Sequence, residues 1–152
     1  MTKKKININN NSLIEQFGMK PYKLRVKEKY MSKRQLNHFK KILNSWKEQL
    51  EQEAEKTVNH MQKDSNTLAD PNDRATQESE FGLELRTRDR ERKLIRKIQS
   101  SLIKIDDGSF GYCEETGEEI GLQRLEARPV ASLTLEAQER REITEKQFTD
   151  SR

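Results

Sequence analysis

Two short turns near the end of the chain have the spacing of a tetrahedral zinc site but lack its ligands. Two residues lie between Cys113 and Thr116, two lie between Thr134 and Ala137, and 17 residues separate the pairs. Zinc ribbons place four thiolates at such positions. Thr and Ala are not structural zinc ligands, and one thiolate binds zinc too weakly to drive folding. We therefore expect no zinc, and interpret Cys113 as a small, half-buried residue in preference to a redox thiol.

A second group of residues that could act on a charged partner lies between positions 64 and 80. It holds five carboxylates against one cation, Arg74, for a net charge of −4. Asp70 and Asp73 stand in the segment 66–75, whose Pro, Asn and Asp residues predict a turn. Exposed carboxylates there could approach a bound Mg²⁺ or a basic channel. Because Asp and Asn are also good turn formers, the pattern alone leaves both interpretations open.

A third group is basic. Residues 86–97 carry seven Lys or Arg against two acids, a net charge of +5, and Arg124 and Arg128 follow further along the chain. Converging Arg and Lys side chains can bind a polyphosphate or a carboxylate-rich partner. The alternative is a solvated helix face with ion pairs four residues apart, such as Asp89 with Lys93.

The composition excludes several classes of protein. Only 31% of the 152 residues are hydrophobic and 37% are charged, which is typical of long helices and not of a thick core. The single cysteine rules out a disulfide within the chain, and no apolar run is long enough to span a bilayer. We find no nucleophile–base pair, glycine-rich phosphate loop or metal triad, so we expect a cytoplasmic protein that is not an enzyme.

Charge divides the chain into a basic beginning and a balanced remainder. Residues 1–31 carry a net charge of +6, and all later residues together carry −2. The high isoelectric point therefore does not imply a duplex-binding face on the body. The Asn-rich start is expected to be disordered, whereas Phe17, Tyr22 and Tyr30 could dock the next segment on the body or leave it free.

Two long helices are predicted over residues 32–105, where apolar residues recur at steps of three and four. The stripe of the first is Leu36, Phe39, Leu43, Trp46, Leu50, Glu53, Thr57 and Met61. The stripe of the second is Phe81, Leu85, Arg88, Arg92, Ile95, Ile98, Leu102 and Ile105. Ser32 and Gln35 form a capping-box pattern at the start, and Gly108 is a stop signal at the end. A short connection makes the helices antiparallel, so we predict a coiled-coil hairpin with its tip at 66–75.

The remaining residues predict a small module and a final helix. Residues 106–133 are rich in glycine and turns, with short apolar pieces that fit two short strands or tight loops. Thr134 is a suitable N-cap for a helix over 134–152. The predicted fold class is mostly α, with the hairpin, a ribbon-like module without metal and a C-terminal helix.

Three stretches together resemble the DksA/TraR family of bacterial transcription factors. They are "DPNDRATQESEFGLELRTRDRERKLIRKI", "FGYCEETGEEIG" and "RLEARP". The resemblance extends from about Tyr30 to Phe148. It implies that the hairpin enters the secondary channel of RNA polymerase, with its acidic tip near the catalytic Mg²⁺ and the trigger loop.

The same resemblance assigns roles to particular residues. The tip residues that matter are Asp73 and Ala75, with Asp70 and Arg74 beside them. A second set helps to hold guanosine tetraphosphate at the polymerase interface: Arg90, Leu94, Lys97 and Arg128. The effect expected with the alarmone is inhibition of ribosomal RNA promoters and activation of some biosynthetic promoters. The implied partners are RNA polymerase and the alarmone, for a monomer without membrane attachment or sequence-specific DNA binding.

The chain departs from the family pattern in two places. Gln138 replaces a Lys that is usual in the alarmone pocket, which removes a charge-assisted contact of about 1.5–3 kcal/mol. Arg140 or Arg141 could serve instead. The other departure is the Cys–Thr–Thr–Ala set at the ligand positions. Some members of the family lack these cysteines and fold without zinc, and this chain resembles that subgroup.

Two other functions remain as alternatives. A Gre-type factor has the same kind of hairpin and an acidic tip, but promotes cleavage of backtracked RNA. The amino-acid sequence of the tip and the presence of the ribbon-like module argue against a Gre-type factor. A structural coiled coil is the other alternative, although Arg88 and Arg92 in the predicted seam disfavour a long homodimer.

Overall fold

The structure, a computed structural model, describes residues 13–64 and 71–151. Its helices are α1 (Leu13–Gln16), α2 (Lys33–Asp64), α3 (Pro71–Asp107), α4 (Leu122–Ala127) and α5 (Leu135–Asp150). The described part divides into two compact units. One consists of Leu43–Phe110, and the other of the residues up to Ile42 together with those from Gly111 onward. Within the described ranges, no helix is both long and apolar enough to cross a membrane.

The unit Leu43–Phe110 is the helical hairpin, formed by most of α2 and all of α3. The predicted long helices and their antiparallel pairing are confirmed. The buried residues are Leu43, Leu50, Ile98, Ser101, Ile105 and Phe110. α3 stops at Asp107, as Gly108 predicted. Gly108 has φ +85°, and the N–H groups of Ser109 and Phe110 donate to the carbonyl oxygen of Lys104.

The predicted stripe of α3 is wrong at two positions. Leu85 and Arg92 are exposed, whereas Glu84 and Glu91 are half-buried. Steps of three and four can alternate in either order along one helix, and the order found here runs 81, 84, 88, 91. The carboxylate of Glu84 lies 3.7 Å from His60 Nδ1 on α2. The polar pair of Glu84 and His60 therefore lies between the helices at the position where the apolar pattern had predicted Leu85.

The other unit has its own core. Its fully or nearly buried residues include Ile14, Phe39, Ile42, Cys113, Ile120, Leu125, Leu133 and Ala137. The capping pattern at the start of α2 is confirmed, since the N–H of Gln35 donates to Ser32 Oγ at 3.4 Å. The Gln35 side chain accepts from the N–H of Met31 at 2.7 Å, one residue earlier than a standard capping box has it.

The segment before α2 docks on this unit. Tyr22 N–H donates to Glu126 Oε1 at 2.6 Å, and the Tyr30 hydroxyl contacts the module. Phe17 is half-buried, and α1 adds the buried Ile14. Docking at these aromatic positions, which the sequence left open, therefore occurs. The disorder predicted for the Asn-rich start concerns residues outside the described part of the chain.

The module contains a tight loop, as its sequence suggested, and also a short helix that was not predicted. Its described residues contain one isolated antiparallel bridge, Tyr112 with Glu119, and the short helix α4. Gly121, at φ +100°, turns the chain into that helix. Leu122 and Leu125 recur at a helical spacing, and Leu125 is fully buried. Burial of this pair on one helix face explains why the segment is helical.

Candidate functional site

The tip residues lie at the start of α3. Pro71 is the first residue of the helix, so the turn predicted over 66–75 ends earlier than expected. Proline suits the first helical position because its φ is already helical and its missing N–H is not needed there. Asp73 lies in the first turn, where a carboxylate interacts favourably with the helix dipole. Asp70 lies outside the described residues.

The tip side chains are available to a partner. Asp73, Arg74 and Ala75 are all exposed, and so are Glu78 and Glu80 one and two turns later. No described residue forms a metal-binding group of three or more His, Cys, Asp or Glu with them. The described part of the tip is therefore an exposed surface with more carboxylates than cations.

The residues assigned to the alarmone are divided between the two units. Arg90, Leu94 and Lys97 lie on α3 at intervals of four and three, so they share one face. Arg90 and Lys97 are exposed, and Leu94 is half-buried between them. Arg128 belongs to the other unit, where it is exposed at the end of α4.

Gln138 and Arg140 are on the first turns of α5. The amide of Gln138 donates to Glu142 Oε1 at 2.8 Å, so it is held within its own helix. Arg140 is exposed and lines an open pocket that also has three carboxylates in its lining, those of Glu118, Glu136 and Glu139. Arg141 lies 3.9 Å from Glu145 on its own helix.

The first knuckle turn is closed by hydrogen bonds between nearby residues. Gly117 N–H donates to the carbonyl oxygen of Cys113 at 2.9 Å, and Cys113 N–H donates to Glu118 at 2.8 Å. Gly117 has φ +74°, which a glycine adopts at little cost. The Thr116 hydroxyl accepts from the N–H of Glu118 at 3.3 Å. Local hydrogen bonds thus close the turn.

The second knuckle turn has become a helix cap. The hydroxyl of Thr134 accepts from Ala137 N–H at 3.3 Å, which confirms the predicted N-cap of α5. The same hydroxyl donates to Cys113 Sγ at 3.9 Å. Glu114 N–H donates to the carbonyl oxygen of Ser132 at 2.9 Å, joining the two turns. Ala137 is fully buried and fills the remaining ligand position.

These residues do not fit a zinc ion. Only Cys113 could coordinate it, because the Thr134 hydroxyl is engaged in capping and Ala137 has no donor atom. Cys113 is 3% exposed, so it is buried and not half-buried as expected. Hydrogen bonds join the two turns, and Leu125 and Leu133 are buried in the same unit.

Cys113 nevertheless keeps the surroundings of a thiolate. Burial alone raises the pKa of the thiol, but hydrogen bonds from the Thr116 side chain and from the N–H groups of Thr134, Thr116 and Glu115 outweigh it. The net effect lowers the pKa from 9.0 to about 6. The hydrogen bonds thus favour the thiolate form of the sulfur.

We expect the Cys113 thiolate absorbance at 240 nm to titrate with a midpoint near pH 6, measured as wild type minus Cys113→Ser. Because the folded pKa lies below the unfolded value, the thiolate stabilises the fold at high pH. That contribution falls as the pH drops through about 6. The melting temperature of wild type should therefore exceed that of Cys113→Ser by more at pH 8.5 than at pH 5.5. A midpoint near 9 would contradict this.

Tyr30, which the sequence offered as a docking residue, bonds to two glycines of the module, and sequence reasoning missed the role of one of them, Gly111. The Tyr30 hydroxyl donates to the Gly111 carbonyl at 2.7 Å and accepts from the Gly121 N–H at 3.0 Å. Its ring packs edge-on against Tyr112 at 5.6 Å. Gly111 is buried against Met31 at φ +89°. The only signal in the sequence was a glycine between two aromatic residues.

Comparison with known proteins gives a consistent family. Residues 35–105 match a family model described as the N-terminal domain of DnaK suppressor protein DksA. Residues 108–142 match the prokaryotic dksA/traR C4-type zinc finger, although this chain keeps one of its four cysteines.

Two curated relatives are each called RNA polymerase-binding transcription factor DksA. The Haemophilus influenzae protein is 54% identical over 136 residues, which cover 90% of this chain and 94% of the relative. The Escherichia coli K12 protein is 52% identical over 137 residues, covering 90% and 91%. A solved structure of transcription factor DksA2 from Pseudomonas aeruginosa is 35% identical, with a TM-score of 0.72, covering 77% of this chain and 90% of that one. The chain therefore belongs to the DksA/TraR family.

Proposed function

We propose that this protein binds RNA polymerase and regulates transcription initiation, and that its hairpin enters the secondary channel. The single observation that carries the proposal is the tip, where the exposed Asp73 lies in the acidic, solvent-facing first turn of α3. The relatives named as RNA polymerase-binding factors support the choice of partner. In this arrangement the protein is not an enzyme but alters the active site of one, as a monomer in the cytoplasm.

The test is transcription from a ribosomal RNA promoter with purified polymerase, with and without guanosine tetraphosphate. We expect the protein to inhibit, and the alarmone to increase the inhibition. A Gre-type factor would instead shorten the transcript in stalled, backtracked complexes. Cleavage without any effect on initiation would therefore overturn the proposal in favour of that alternative.

The alarmone is proposed to bind with help from Arg90, Leu94, Lys97 and Arg128. The common face of the three α3 residues supports this, because two exposed cations flank an apolar contact. Arg140, exposed at the start of α5, is proposed to compensate in part for the absence of a lysine at Gln138.

Lys97→Ala should raise the alarmone concentration for half-maximal inhibition by about tenfold or more, since a charge-assisted contact contributes about 1.5–3 kcal/mol. Arg96→Ala is the matched control, because Arg96 is an exposed neighbour on a different face of the helix. Inhibition without alarmone should be the same for both variants. If both variants needed the same alarmone concentration for half-maximal inhibition, Lys97 would not be part of the alarmone site.

We further propose that the module folds without zinc. The Thr134 cap and the hydrogen bonds between the two turns support this, as does the single thiol at the ligand positions. Excess chelator should leave the melting temperature of the purified protein unchanged, and elemental analysis should find no stoichiometric zinc. A large fall in melting temperature after chelation would contradict the proposal.

A further inference from the structure

A basic pocket lies beside the first turns of α2, in the unit that does not contain the hairpin tip. It has a volume of about 660 Å³. Its lining residues are Lys20, Pro21, Tyr22, Lys23, Arg34, Asn37, His38 and Lys41. We call this surface the basic cradle. None of its described lining residues is acidic, although the protein as a whole has nearly equal numbers of acids and bases.

The cradle forms because two segments meet. Arg34, His38 and Lys41 recur at intervals of four and three, so they share one face of α2. The extended segment that precedes α2 crosses this face, held by the bond from Tyr22 N–H to Glu126. Arg34 lies over the Tyr22 ring, 4.9 Å from its centroid, and donates to the carbonyl oxygen of Lys23 at 3.4 Å. The two halves of the cradle are thus fixed to each other.

Two carboxylates stand behind the cradle and are already engaged. Glu28 accepts from the Tyr22 hydroxyl and lies 3.6 Å from Arg34. Glu126 accepts from Tyr22 N–H and lies 3.6 Å from His38 Nε2. Burial lowers the pKa of His38, so this ring is neutral near pH 7. Positive charge is therefore concentrated on Arg34 and the three lysines.

The lysines of the cradle are free to bind a partner. Lys20, Lys23 and Lys41 are exposed, and none forms a salt bridge with another described residue. They belong to a longer basic stretch, since residues 20–41 hold nine Lys or Arg and a single acid. A net charge of +8 over 22 residues destabilises the fold through mutual repulsion, and a bound polyanion would neutralise that charge.

The composition of the cradle favours phosphates over an acidic protein surface. Three of the four Lys and Arg residues of the cradle are lysine, which is depleted at protein–protein interfaces. Lysine is a strongly hydrated point charge, suited to phosphate contacts that release counterions. The one aromatic ring in the cradle is covered by Arg34 and His38, so it is not available to stack on a base.

We propose that the basic cradle binds the phosphodiester backbone of nucleic acid without reading its sequence. The surface is separate from the residues assigned above to the tip and to the alarmone. The inference therefore does not depend on the proposed function, although a regulator of polymerase would meet promoter DNA and nascent RNA.

The test measures fluorescence anisotropy of labelled 30-nucleotide DNA, single-stranded and duplex, with the full-length protein between 50 and 300 mM NaCl. The variant is Lys23→Ala/Lys41→Ala, which leaves the structural Arg34 in place. The control is Lys63→Ala/Lys146→Ala, which removes the same charge from exposed positions elsewhere. Residues 1–12, which include three lysines, are unchanged in every protein.

Wild type and control should bind both DNAs irrespective of sequence, with affinity that falls as salt rises. The cradle variant should bind at least about fivefold more weakly at 100 mM NaCl. The slope of log K against log salt should flatten by about 1.8 for duplex or about 1.4 for single strands, as expected for two lost phosphate contacts. Inhibition of transcription by the variant, assayed as above, should be retained.

Three results would overturn the inference. One is absence of DNA binding at 50 mM NaCl. Another is an equal loss of affinity in the cradle variant and the control, which would indicate general charge and no specific surface. The last is retention of a labelled poly-glutamate peptide in preference to both DNAs, which would identify an acidic protein as the partner. Circular dichroism of both variants would show that each is folded.

Discussion

Asp73→Asn should abolish inhibition of a ribosomal RNA promoter while leaving the protein folded and bound to polymerase. The substitution keeps the size of the side chain, removes its charge and replaces one acceptor oxygen with an NH2 donor. Because Asp73 is exposed in the first turn of α3, its loss should cost about 0.3–1 kcal/mol of stability through the helix dipole. An effect near the catalytic Mg²⁺ depends directly on that charge. We therefore expect at least a tenfold loss of inhibition.

Glu78→Gln is the matched control. It removes one negative charge from an exposed side chain on the same helix, five residues further along. If the tip acts only through its general acidity, the two variants should be impaired to a similar extent. If Asp73 has a defined position in the channel, Glu78→Gln should inhibit nearly as well as wild type. If Asp73→Asn inhibited as well as wild type, the tip hypothesis would be wrong. A competition assay would then show whether the protein binds polymerase at all.

Gly111→Ala should be the most destabilising single substitution in the module. Gly111 has φ +89°, a backbone conformation that alanine adopts only with strain. A Cβ atom there would lie 2.8 Å from Met31 Sδ and 2.9 Å from Met31 Cγ. Strain of about 1–2 kcal/mol and overpacking of about 1–3 kcal/mol together predict a loss of about 2–5 kcal/mol. Chemical denaturation followed by circular dichroism measures this free energy of unfolding.

Two comparisons separate the contributions. Gly117→Ala has a similar positive φ, but its Cβ would meet nothing within 4 Å, so it should show the strain alone. Adding Met31→Ala to Gly111→Ala should recover the part due to the contact, as a double-mutant cycle with a favourable coupling. If Gly111→Ala is no more destabilising than Gly117→Ala, the packing of Met31 on this glycine contributes nothing to stability.

Local sequence determined the secondary structure of the hairpin. Ser32 and Gln35 begin α2, Gly108 ends α3, and Thr134 caps α5, as predicted. Each of these signals acts within one turn of helix, so the neighbouring residues are sufficient to define it. The family motifs were also readable, because their residues are contiguous. The mismatch of Thr116, Thr134 and Ala137 with zinc needed no coordinates, since ligand chemistry is a property of residue type.

The tertiary structure decided what depends on distant residues. The stripe of α3 runs through Glu84 and Glu91, and Glu84 pairs with His60 on α2. The periodicity of α3 alone contains no information about that partner. The Tyr30 hydroxyl joins two glycines more than 80 residues away along the chain.

The basic cradle arises in the same way. Lys20 and Lys23 approach Lys41 only because the segment before α2 folds back across it. The sequence by itself thus determined the helices, their ends, the family and the chemistry of single residues. Only the folded chain decided which charges share a surface, because side chains far apart in sequence are brought together by packing and hydrogen bonds that no local pattern records.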